Sequence, residues 1–299
     1  MSTKAPIGII GAGLMGHGIA QVFAKAGHRV KVYDSSAKSL ETLHARVRAN
    51  FLDLGESIEP AGLISAHADL AEAVLDVGLV IEAAAELLEI KKAIFADLER
   101  LAPPAAILAS NSSVIPISRI SDGLRTQDRI VATHWWNPPF LVPLVEVVGA
   151  PATTEMTISK VMGLLASVGK TPAYIKKDVP GFVGNRLQHA LWREAIAMVA
   201  DGICDAETVD TVVKASFGRR LGILGPLENA DLIGTDLTLD IHRTILPDID
   251  RTPGPSPYLE RLVATGRLGM KTGEGFRSWS KTQAEEVRGR VIRYLAKAT

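Results

Sequence analysis

A glycine-rich turn between an apolar run and a helix-like segment constrains the fold more than any other feature of this 299-residue chain. The turn is Gly11-Ala12-Gly13-Leu14-Met15-Gly16, and it directly follows the β-branched run Ile7–Ile10. A G-x-G-x-x-G pattern is weak evidence alone, but between a buried strand and a helix it indicates a dinucleotide-binding βαβ unit. We therefore predict a strand over Ile7–Ile10 and a helix over His17–Ala26.

Each glycine of this turn has its own expected role. Gly11 permits the tight turn, Gly13 lets the backbone approach a pyrophosphate, and Gly16 allows the helix and strand to pack closely. The helix N-terminus, which includes Leu14 and Met15, offers free N–H donors and a partial positive charge to that pyrophosphate. These five residues are the expected phosphate-binding part of a cofactor site.

An aspartate completes the expected cofactor site. Asp34 follows the second predicted strand, Val30–Tyr33, and lies 18 residues after Gly16. Its carboxylate should accept hydrogen bonds from both adenosine-ribose hydroxyls and repel a 2′-phosphate. The sequence therefore predicts NAD, rather than NADP, as the cofactor. The alternative is an ordinary glycine turn followed by a solvated aspartate.

The N-terminal part of the chain alternates short apolar runs with longer helix-like segments. We predict further strands at Leu79–Glu82, Ala106–Ala109 and Ile130–Thr133, and helices at Lys38–Leu54 and Ile90–Leu101. This alternation is typical of a mainly parallel, doubly wound sheet with helices on its faces. The fold class is therefore α/β, with a Rossmann-type domain over residues 1–179.

The character of the sequence changes at Pro180-Gly181, beyond which no convincing β pattern occurs. Amphipathic helices are predicted at Leu187–Asp201, Ala206–Phe217, Pro226–Ile245, Ser256–Thr265 and Glu285–Ala298. Residues 180–299 are thus expected to form an all-α C-terminal domain.

A histidine and a glutamate stand symmetrically about a Pro-rich turn. If the runs Ile130–Thr133 and Leu144–Val148 pair as a hairpin centred on Phe140, His134 lies opposite Glu146. Opposed side chains have Cβ atoms about 4.5–5.5 Å apart, so the carboxylate could bond an imidazole N–H, fix the tautomer and raise the basicity of the ring. We predict that His134 is a general base. A one-residue slip would send Glu146 to the other face, and a core histidine is the alternative.

Polar residues follow two of the other predicted strands. In an open parallel sheet a ligand lies across the carboxyl ends of the strands. Glu86 and Lys91 follow Leu79–Glu82 and could contact the nicotinamide half, although a solvated charge pair at a helix start is as reasonable. Ser110-Asn111-Ser112-Ser113 follows the next strand, and it could bond a substrate oxygen or cap a helix.

Composition excludes several partners. Lys plus Arg and Asp plus Glu are 33 each, so no charge excess favours nucleic acid or a membrane surface. No stretch approaches the roughly 18 apolar residues of a membrane helix. The single cysteine, Cys204, cannot form an internal disulfide or a thiolate metal cage. We expect a soluble cytoplasmic protein without a metal.

Six separated motifs resemble the L-3-hydroxyacyl-CoA dehydrogenase family along nearly the whole chain. They are GAGLMG at 11–16, VIEAAAE at 80–86, SNSS at 110–113, HWWNP at 134–138, PLVEV at 143–147 and PGFVGNR at 180–186. The resemblance implies an NAD domain followed by a helical domain that forms a homodimer. It also implies that His134 and Glu146 form the catalytic dyad and that Ser113 and Asn185 bond the reacting oxygen. In such enzymes the residues that match Asp34, Glu86 and Lys91 serve the cofactor.

Departures from the family pattern concern the substrate. The chain has H-W-W-N-P-P where the family usually has H-F-F-N-P, which places two bulky rings beside Asn137, a candidate substrate contact. The segment Lys38–Gly55 has few basic residues, whereas relatives that bind coenzyme A have a lysine-rich helical pair there. Arg219-Arg220 stands where acyl-CoA relatives are apolar, and a guanidinium matches a carboxylate. A solvated charge pair is equally reasonable for these arginines.

Several functions remain open at this level. The leading hypothesis is an NAD-dependent oxidation of a 3-hydroxyacyl-CoA to the ketone, with a place in fatty acid metabolism. HWxNPP with KKDVPGFV at 176–183 also resembles a branch acting on small carboxylated or heteroaromatic alcohols without CoA. A non-catalytic, crystallin-like NAD-binding protein is an alternative of another class. An enzyme with a catalytic lysine, Lys91 or Lys170, is a weaker one, since neither residue has a matching motif around it.

Overall fold

The short β-branched runs form one sheet of eight strands. In the computed structural model, which describes residues 4–298, these strands are β1 Ile7–Ile10, β2 Val30–Tyr33, β3 Ile64–His67, β4 Leu79–Glu82, β5 Ile107–Ser110, β6 Ile130–Trp135, β7 Leu144–Gly149 and β8 Thr171–Ile175. Their order is β3-β2-β1-β4-β5-β6-β7-β8. Every neighbouring pair is parallel except β6 and β7, which are antiparallel. The predicted Rossmann-type sheet is thereby confirmed.

Helices cover both faces of this sheet. They are α1 Leu14–Lys25, α2 Ala37–Glu41, α3 Leu43–Asp53, α4 Leu70–Val74, α5 Leu88–Leu101, α6 Ile117–Ser121 and α7 Glu155–Ser167, with short 3-10 helices at Glu59–Leu63 and Gln127–Arg129. One buried core packs α1, α3 and α7 on the sheet, and a second packs α4, α5 and α6 on it. Residues in β1 and β4 are buried at every position, as expected of central parallel strands.

The sequence did not predict strands β3 and β8, which lie at the two edges of the sheet. β3 has one fully buried residue, and β8 has none and contains Pro172. Edge strands bury less side-chain area, so their sequences lack the continuous apolar run that marks a central strand. The predicted helix Lys38–Leu54 is also divided, since Thr42 separates α2 from α3.

The chain separates into two units, Met1–Asn185 with Ile292–Thr299, and Arg186–Val291. The break falls inside the motif at 180–186, so that Asn185 belongs to the unit that contains the sheet. The sequence-predicted boundary after residue 179 lies a few residues earlier.

The second unit is helical, as predicted. The helices after residue 183 are α8 Gly184–Ala200, α9 Ala206–Ala215, α10 Pro226–Ile233, α11 Thr235–Ile245, α12 Pro257–Ala264 and α13 Lys281–Ala298. The single helix predicted over Pro226–Ile245 is broken at Gly234, whose φ of 98° is in the left-handed region. Within residues 4–298, no helix is both long and apolar enough to cross a membrane.

Candidate active site

The glycine-rich turn has the geometry that its sequence predicts. A Cβ on Gly11, where φ is +106°, would lie 2.6 Å from the carbonyl oxygen of Ala83. A Cβ on Gly16 would lie 1.7 Å from the carbonyl oxygen of Gly11, so a side chain there would separate α1 from β1. Gly13 has nothing within 4 Å of the same position. Backbone atoms pack closely against the turn at Gly11 and Gly16, whereas the space beside Gly13 is open. This open space fits the diphosphate of a dinucleotide.

The carboxylate of Asp34 is held at the end of β2. Its Oδ2 accepts from the backbone N–H of Ala12 at 2.7 Å, and its Oδ1 accepts from that of Ser36 at 2.8 Å. The side chain therefore has a defined position beside the glycine turn and remains partly exposed. Its expected contact with ribose hydroxyls stays a prediction.

The hairpin predicted around Phe140 forms in the expected register. Strands β6 and β7 are antiparallel, and His134 lies directly opposite Glu146. His134 Nδ1 is 2.8 Å from Glu146 Oε2, and both side chains are buried. The ring of His134 lies near the rings of Trp136 and Phe182, with centroid distances of 5.4 and 5.6 Å. No described residue bonds its Nε2, so this nitrogen is open to a ligand.

The second oxygen of Glu146 is held by a distant part of the chain. Its Oε1 accepts from the backbone N–H groups of Val183 and Gly184 at 2.9 and 3.0 Å. Burial raises the pKa of Glu146, but the hydrogen bonds from His134, Gly184 and Val183 outweigh it, so the pKa lies below its ordinary value. Glu146 is therefore an ionised acceptor, and His134 donates its Nδ1–H to it.

Sequence reasoning did not find this support for Glu146. The motif PGFVGNR predicts a domain boundary and resembles the family, and the structure adds two features that the sequence did not reveal. Phe182 is the only described non-glycine residue with a positive φ, at 47°, and it is fully buried beside His134. A Cβ on Gly184 would lie 2.4 Å from a ring carbon of Trp136. A buried residue held in the left-handed region marks a constrained segment, and here that segment orients the two amides.

A second carboxylate cluster lies at the ends of β4 and β5. Lys91 Nζ donates to both oxygens of Glu82 at 2.8 and 2.9 Å and lies 3.2 Å from Glu86 Oε2. Glu82 also accepts from Ser110 Oγ at 2.6 Å and from the amide of Ala84 at 2.7 Å. Sequence reasoning missed Glu82, whose only signal was a carboxylate inside a buried strand.

This cluster changes the expected role of Lys91. Its side chain is 1% exposed, and its ammonium is enclosed by Glu82 and Glu86. Lys91 therefore does not reach the nicotinamide half directly, although the sequence had suggested this, and its role there is indirect. Lys91 positions Glu86, which remains partly exposed.

Glu86 in turn holds the SNSS segment. Its Oε1 accepts from Ser112 Oγ and from the amides of Ser113 and Val114 at 2.6, 2.8 and 3.1 Å. Burial raises the pKa of Glu86, but the Ser112 hydroxyl, the charge of Lys91 and the amides together hold it below the ordinary value. The carboxylate therefore stays ionised.

The structure brings Ser113 and Asn185 together, and their predicted contact with the reacting oxygen stays a prediction. Asn185 Nδ2 donates to the carbonyl oxygen of Ser113 at 3.0 Å. The backbone of Ser113 is thus held on both sides, while no residue within 4–298 bonds its hydroxyl. The hydroxyl is available for a substrate oxygen. The side chain of Asn111, in the segment predicted to bond a substrate oxygen or cap a helix, instead accepts from the amide of Trp135 at 2.9 Å and links the end of β5 to β6.

The three remaining candidate substrate residues, Asn137, Arg219 and Arg220, are exposed. Asn137 is exposed beyond the end of β6. Arg219 and Arg220 are exposed in the helical unit, and no ion pair among the described residues includes them. Their substrate roles stay predictions.

Lys170 is bound to backbone rather than placed as a base. Its ammonium donates to the carbonyl oxygens of Pro139 and Val142 and lies 5.7 Å from the ring centre of Trp135. Burial, followed by the charge of Lys25, lowers the pKa of Lys170 to about 8. Its observed contacts hold the Pro-rich turn of the hairpin.

Comparison with known proteins agrees with this geometry. Residues 6–179 match the family model of the 3-hydroxyacyl-CoA dehydrogenase NAD binding domain, and residues 181–279 match that of the 3-hydroxyacyl-CoA dehydrogenase C-terminal domain. The chain is 32% identical over 294 residues to 5-formyl-3-hydroxy-2-methylpyridine 4-carboxylate 5-dehydrogenase of Mesorhizobium japonicum, covering 97% of this chain and 95% of the relative.

Two solved structures provide a further comparison. A crystal structure of 5-formyl-3-hydroxy-2-methylpyridine 4-carboxylic acid 5-dehydrogenase, described as an NAD+-dependent dismutase, has a TM-score of 0.91 at 30% identity and covers 98% of this chain and 97% of its own. The structure of (S)-3-hydroxybutyryl-CoA dehydrogenase from Ralstonia eutropha has a TM-score of 0.74, also at 30% identity, and covers 93% and 99%. The chain therefore belongs to the 3-hydroxyacyl-CoA dehydrogenase family and is an NAD-dependent dehydrogenase that acts on hydroxyl groups.

Proposed function

We propose that this enzyme oxidises a hydroxyl group to a carbonyl with His134 as general base and Glu146 as its positioning partner. The observation that carries the proposal is the buried Nδ1–Oε2 hydrogen bond of 2.8 Å, which leaves Nε2 of His134 without a partner among residues 4–298. An ionised Glu146 can only accept, so it selects the tautomer whose Nε2 lone pair can take a proton.

The proposed reaction divides its work between the cofactor and the protein. NAD, when bound, supplies the acceptor of the hydride that leaves the carbinol carbon. His134 takes the hydroxyl proton, and the carboxylate of Glu146 stabilises the imidazolium that results. The hydroxyl of Ser113 and the amide of Asn185 hold the reacting oxygen, which becomes the carbonyl oxygen. In the reverse direction His134 returns the proton.

We further propose a substrate that carries a free carboxylate and no coenzyme A. Similarity supports this, because at an equal 30% identity the TM-score is 0.91 for the pyridine carboxylate dehydrogenase and 0.74 for the hydroxybutyryl-CoA dehydrogenase. The scarcity of lysine in Lys38–Gly55 also fits a small anion, as do the exposed Arg219 and Arg220, which form no ion pair with any residue of 4–298. A 3-hydroxyacyl-CoA, with a role in fatty acid metabolism, is the second candidate because the family model is of that type.

Paired rate measurements separate the two candidates. NADH oxidation is followed with acetoacetyl-CoA and with a formylpyridine carboxylate, and NAD+ reduction with a hydroxymethylpyridine carboxylate. We expect turnover of the pyridine compounds alone. Turnover of acetoacetyl-CoA alone would contradict the proposed free carboxylate and support a 3-hydroxyacyl-CoA as the substrate. Absence of any NAD-linked turnover, with NADH still bound, would favour the non-catalytic alternative.

The proposal includes a homodimer built on the helical unit. Helices α8 to α11 contain no buried residue, and apolar side chains such as Ile223 and Leu227 are 85% and 80% exposed. Apolar surface of this extent is typical of an interface between subunits. Light scattering should give twice the mass of 31.9 kDa, and a monomer at micromolar concentration would contradict the dimer.

A cytoplasmic location is proposed from the single cysteine alone.

A further inference from the structure

A guanidinium that the mechanism does not use lies against the glycine-rich turn. Arg46, on α3, donates through Nη2 to the carbonyl oxygens of Ala12 and Ser39 at 2.7 and 2.9 Å. Its Nη1 lies 3.5 Å from the carbonyl oxygen of Gly13. All of these acceptors are backbone carbonyls, two in the glycine turn and one in α2, and none is a carboxylate.

The guanidinium of Arg46 pairs directly with no carboxylate among the described residues. It takes part in no ion pair among the described residues, and its Nε is buried without a hydrogen-bond partner. A partly buried guanidinium without a carboxylate is costly, because its desolvation is not offset by an ion pair. The positive charge at this turn therefore remains available to an anion.

Neighbouring groups do not neutralise it either. His17 Nδ1 lies 3.2 Å from Nη1 of Arg46 and 2.8 Å from the carbonyl oxygen of Gly13. Burial lowers the pKa of His17, its hydrogen bond to Gly13 opposes this, and the charge of Arg46 adds to the lowering. The imidazole is thus a neutral neighbour of the guanidinium.

Two opposite charges hold the backbone on either side of the Ala12 Cα. Asp34 accepts from the N–H of Ala12, and Arg46 donates to its carbonyl oxygen, each at 2.7 Å. In a trans peptide the C=O and the following N–H point in opposite directions. Drawing the Ala12 carbonyl toward α3 therefore directs the Gly13 N–H away from α3. This N–H has no acceptor among residues 4–298, and the space at Gly13 is open.

We propose that Arg46 is a positioning residue of the diphosphate site. It orients the Ala12–Gly13 peptide so that the Gly13 N–H faces the cofactor diphosphate, and it adds a full positive charge to the partial charge of the α1 N-terminus. The inference rests on the NAD site alone and is independent of the His134 chemistry and of the substrate.

The test compares ligands with and without a diphosphate. Equilibrium dissociation constants are measured for NAD+, ADP-ribose and adenosine with the wild type and with Arg46→Met. We expect the Kd of NAD+ and of ADP-ribose to rise about tenfold, which corresponds to about 1.4 kcal/mol, and that of adenosine to stay within a factor of two. For NAD+ and ADP-ribose, the difference in Kd between the wild type and Arg46→Met should shrink at high ionic strength, because salt screens the charge of Arg46.

Two further variants make the result specific. Arg48→Met removes the same charge from an exposed position on α3 and should leave all three constants unchanged. Arg46→Lys keeps the charge but not the fork of donors, so its constants should lie between those of the wild type and Arg46→Met. If Arg46→Met does not fold, Arg46→Lys and Arg48→Met decide the question.

The proposal is overturned by any of three results. One is an unchanged ADP-ribose constant in a folded Arg46 variant. The second is an equal loss for adenosine and ADP-ribose, which would indicate a collapsed turn. The third is the same loss in Arg48→Met, which would make the effect one of overall charge.

Discussion

Two buried acid–base pairs lie at the carboxyl ends of the sheet, and they differ in what each leaves open. The Lys91–Glu82 pair and the His134–Glu146 pair are similarly buried, with side-chain exposures of 1% and 0% against 4% and 2%. Burial therefore does not distinguish them. The ammonium of Lys91 is surrounded by oxygens of Glu82 and Glu86, whereas in the described part of the chain His134 has a partner on Nδ1 alone.

The two buried pairs therefore have different roles, although each joins a base to a carboxylate. Lys91 has no lone pair in its charged form, and its donors are directed at carboxylates, so this pair can only hold structure. His134 can exchange a proton through Nε2 while Nδ1 stays bonded to Glu146. A buried pair that is closed on every atom positions its surroundings, and one with an open nitrogen can carry chemistry.

The largest effect should come from removing the open nitrogen. In His134→Asn we expect kcat to fall by about 10³- to 10⁴-fold, because no group remains to take the hydroxyl proton. The dissociation constant of NADH should be unchanged, since His134 is not part of the glycine turn. Steady-state rates and NADH fluorescence titration measure the two quantities. A loss of less than tenfold in kcat would show that another residue is the base.

Breaking the closed pair should instead destabilise the fold. Lys91→Met leaves Glu82 buried without its counter-charge, and the free energy of unfolding should fall by about 3–5 kcal/mol. The double variant Lys91→Met/Glu82→Gln should recover much of this loss. Urea denaturation measures both. Lys92→Met, which removes an exposed pair with Asp122, is the matched control and should cost about 1 kcal/mol or less. Equal losses in Lys91→Met and Lys92→Met would be inconsistent with a buried structural pair.

An intermediate effect is expected at the orienting carboxylate. In Glu146→Gln the amide can still accept from Val183 and Gly184, but it presents an NH₂ group to His134 and disfavours the reactive tautomer. We expect kcat to fall about 100-fold with little change in KM. A rise in KM at constant kcat would assign Glu146 to substrate binding instead.

The smallest effect concerns stability in acid. The pKa of Glu146 is depressed in the folded state, so its ionised form adds stability above the unfolded value of about 4.3, and this contribution disappears as pH falls through the folded pKa. The stability difference between wild type and Glu146→Gln should therefore shrink as the pH falls below about 4. Urea midpoints at pH 7, 5 and 3.5 test this. A difference that grows in acid would mean that the folded state raises the pKa.

Local patterns were enough for much of the fold. The glycine turn predicted strand, turn and helix together, because Gly11 and Gly16 meet steric demands from the neighbouring strand end and from the turn itself, while Gly13 leaves the turn open. The hairpin register of His134 and Glu146 followed from symmetry about a Pro-rich turn. By contrast, the edge strands β3 and β8 were missed, because their pairing depends on a neighbour rather than on an apolar run of their own.

By itself the sequence determined the parallel sheet, the glycine turn and the opposed positions of His134 and Glu146, since these depend on periodicity and on residues close along the chain. Only the tertiary structure decided which groups complete them. Glu146 is held by amides that follow it by 37 and 38 residues, and Arg46 reaches the turn across a separation of 34. Such contacts have no local pattern, because the distance along the chain between their partners depends on how helices and strands pack.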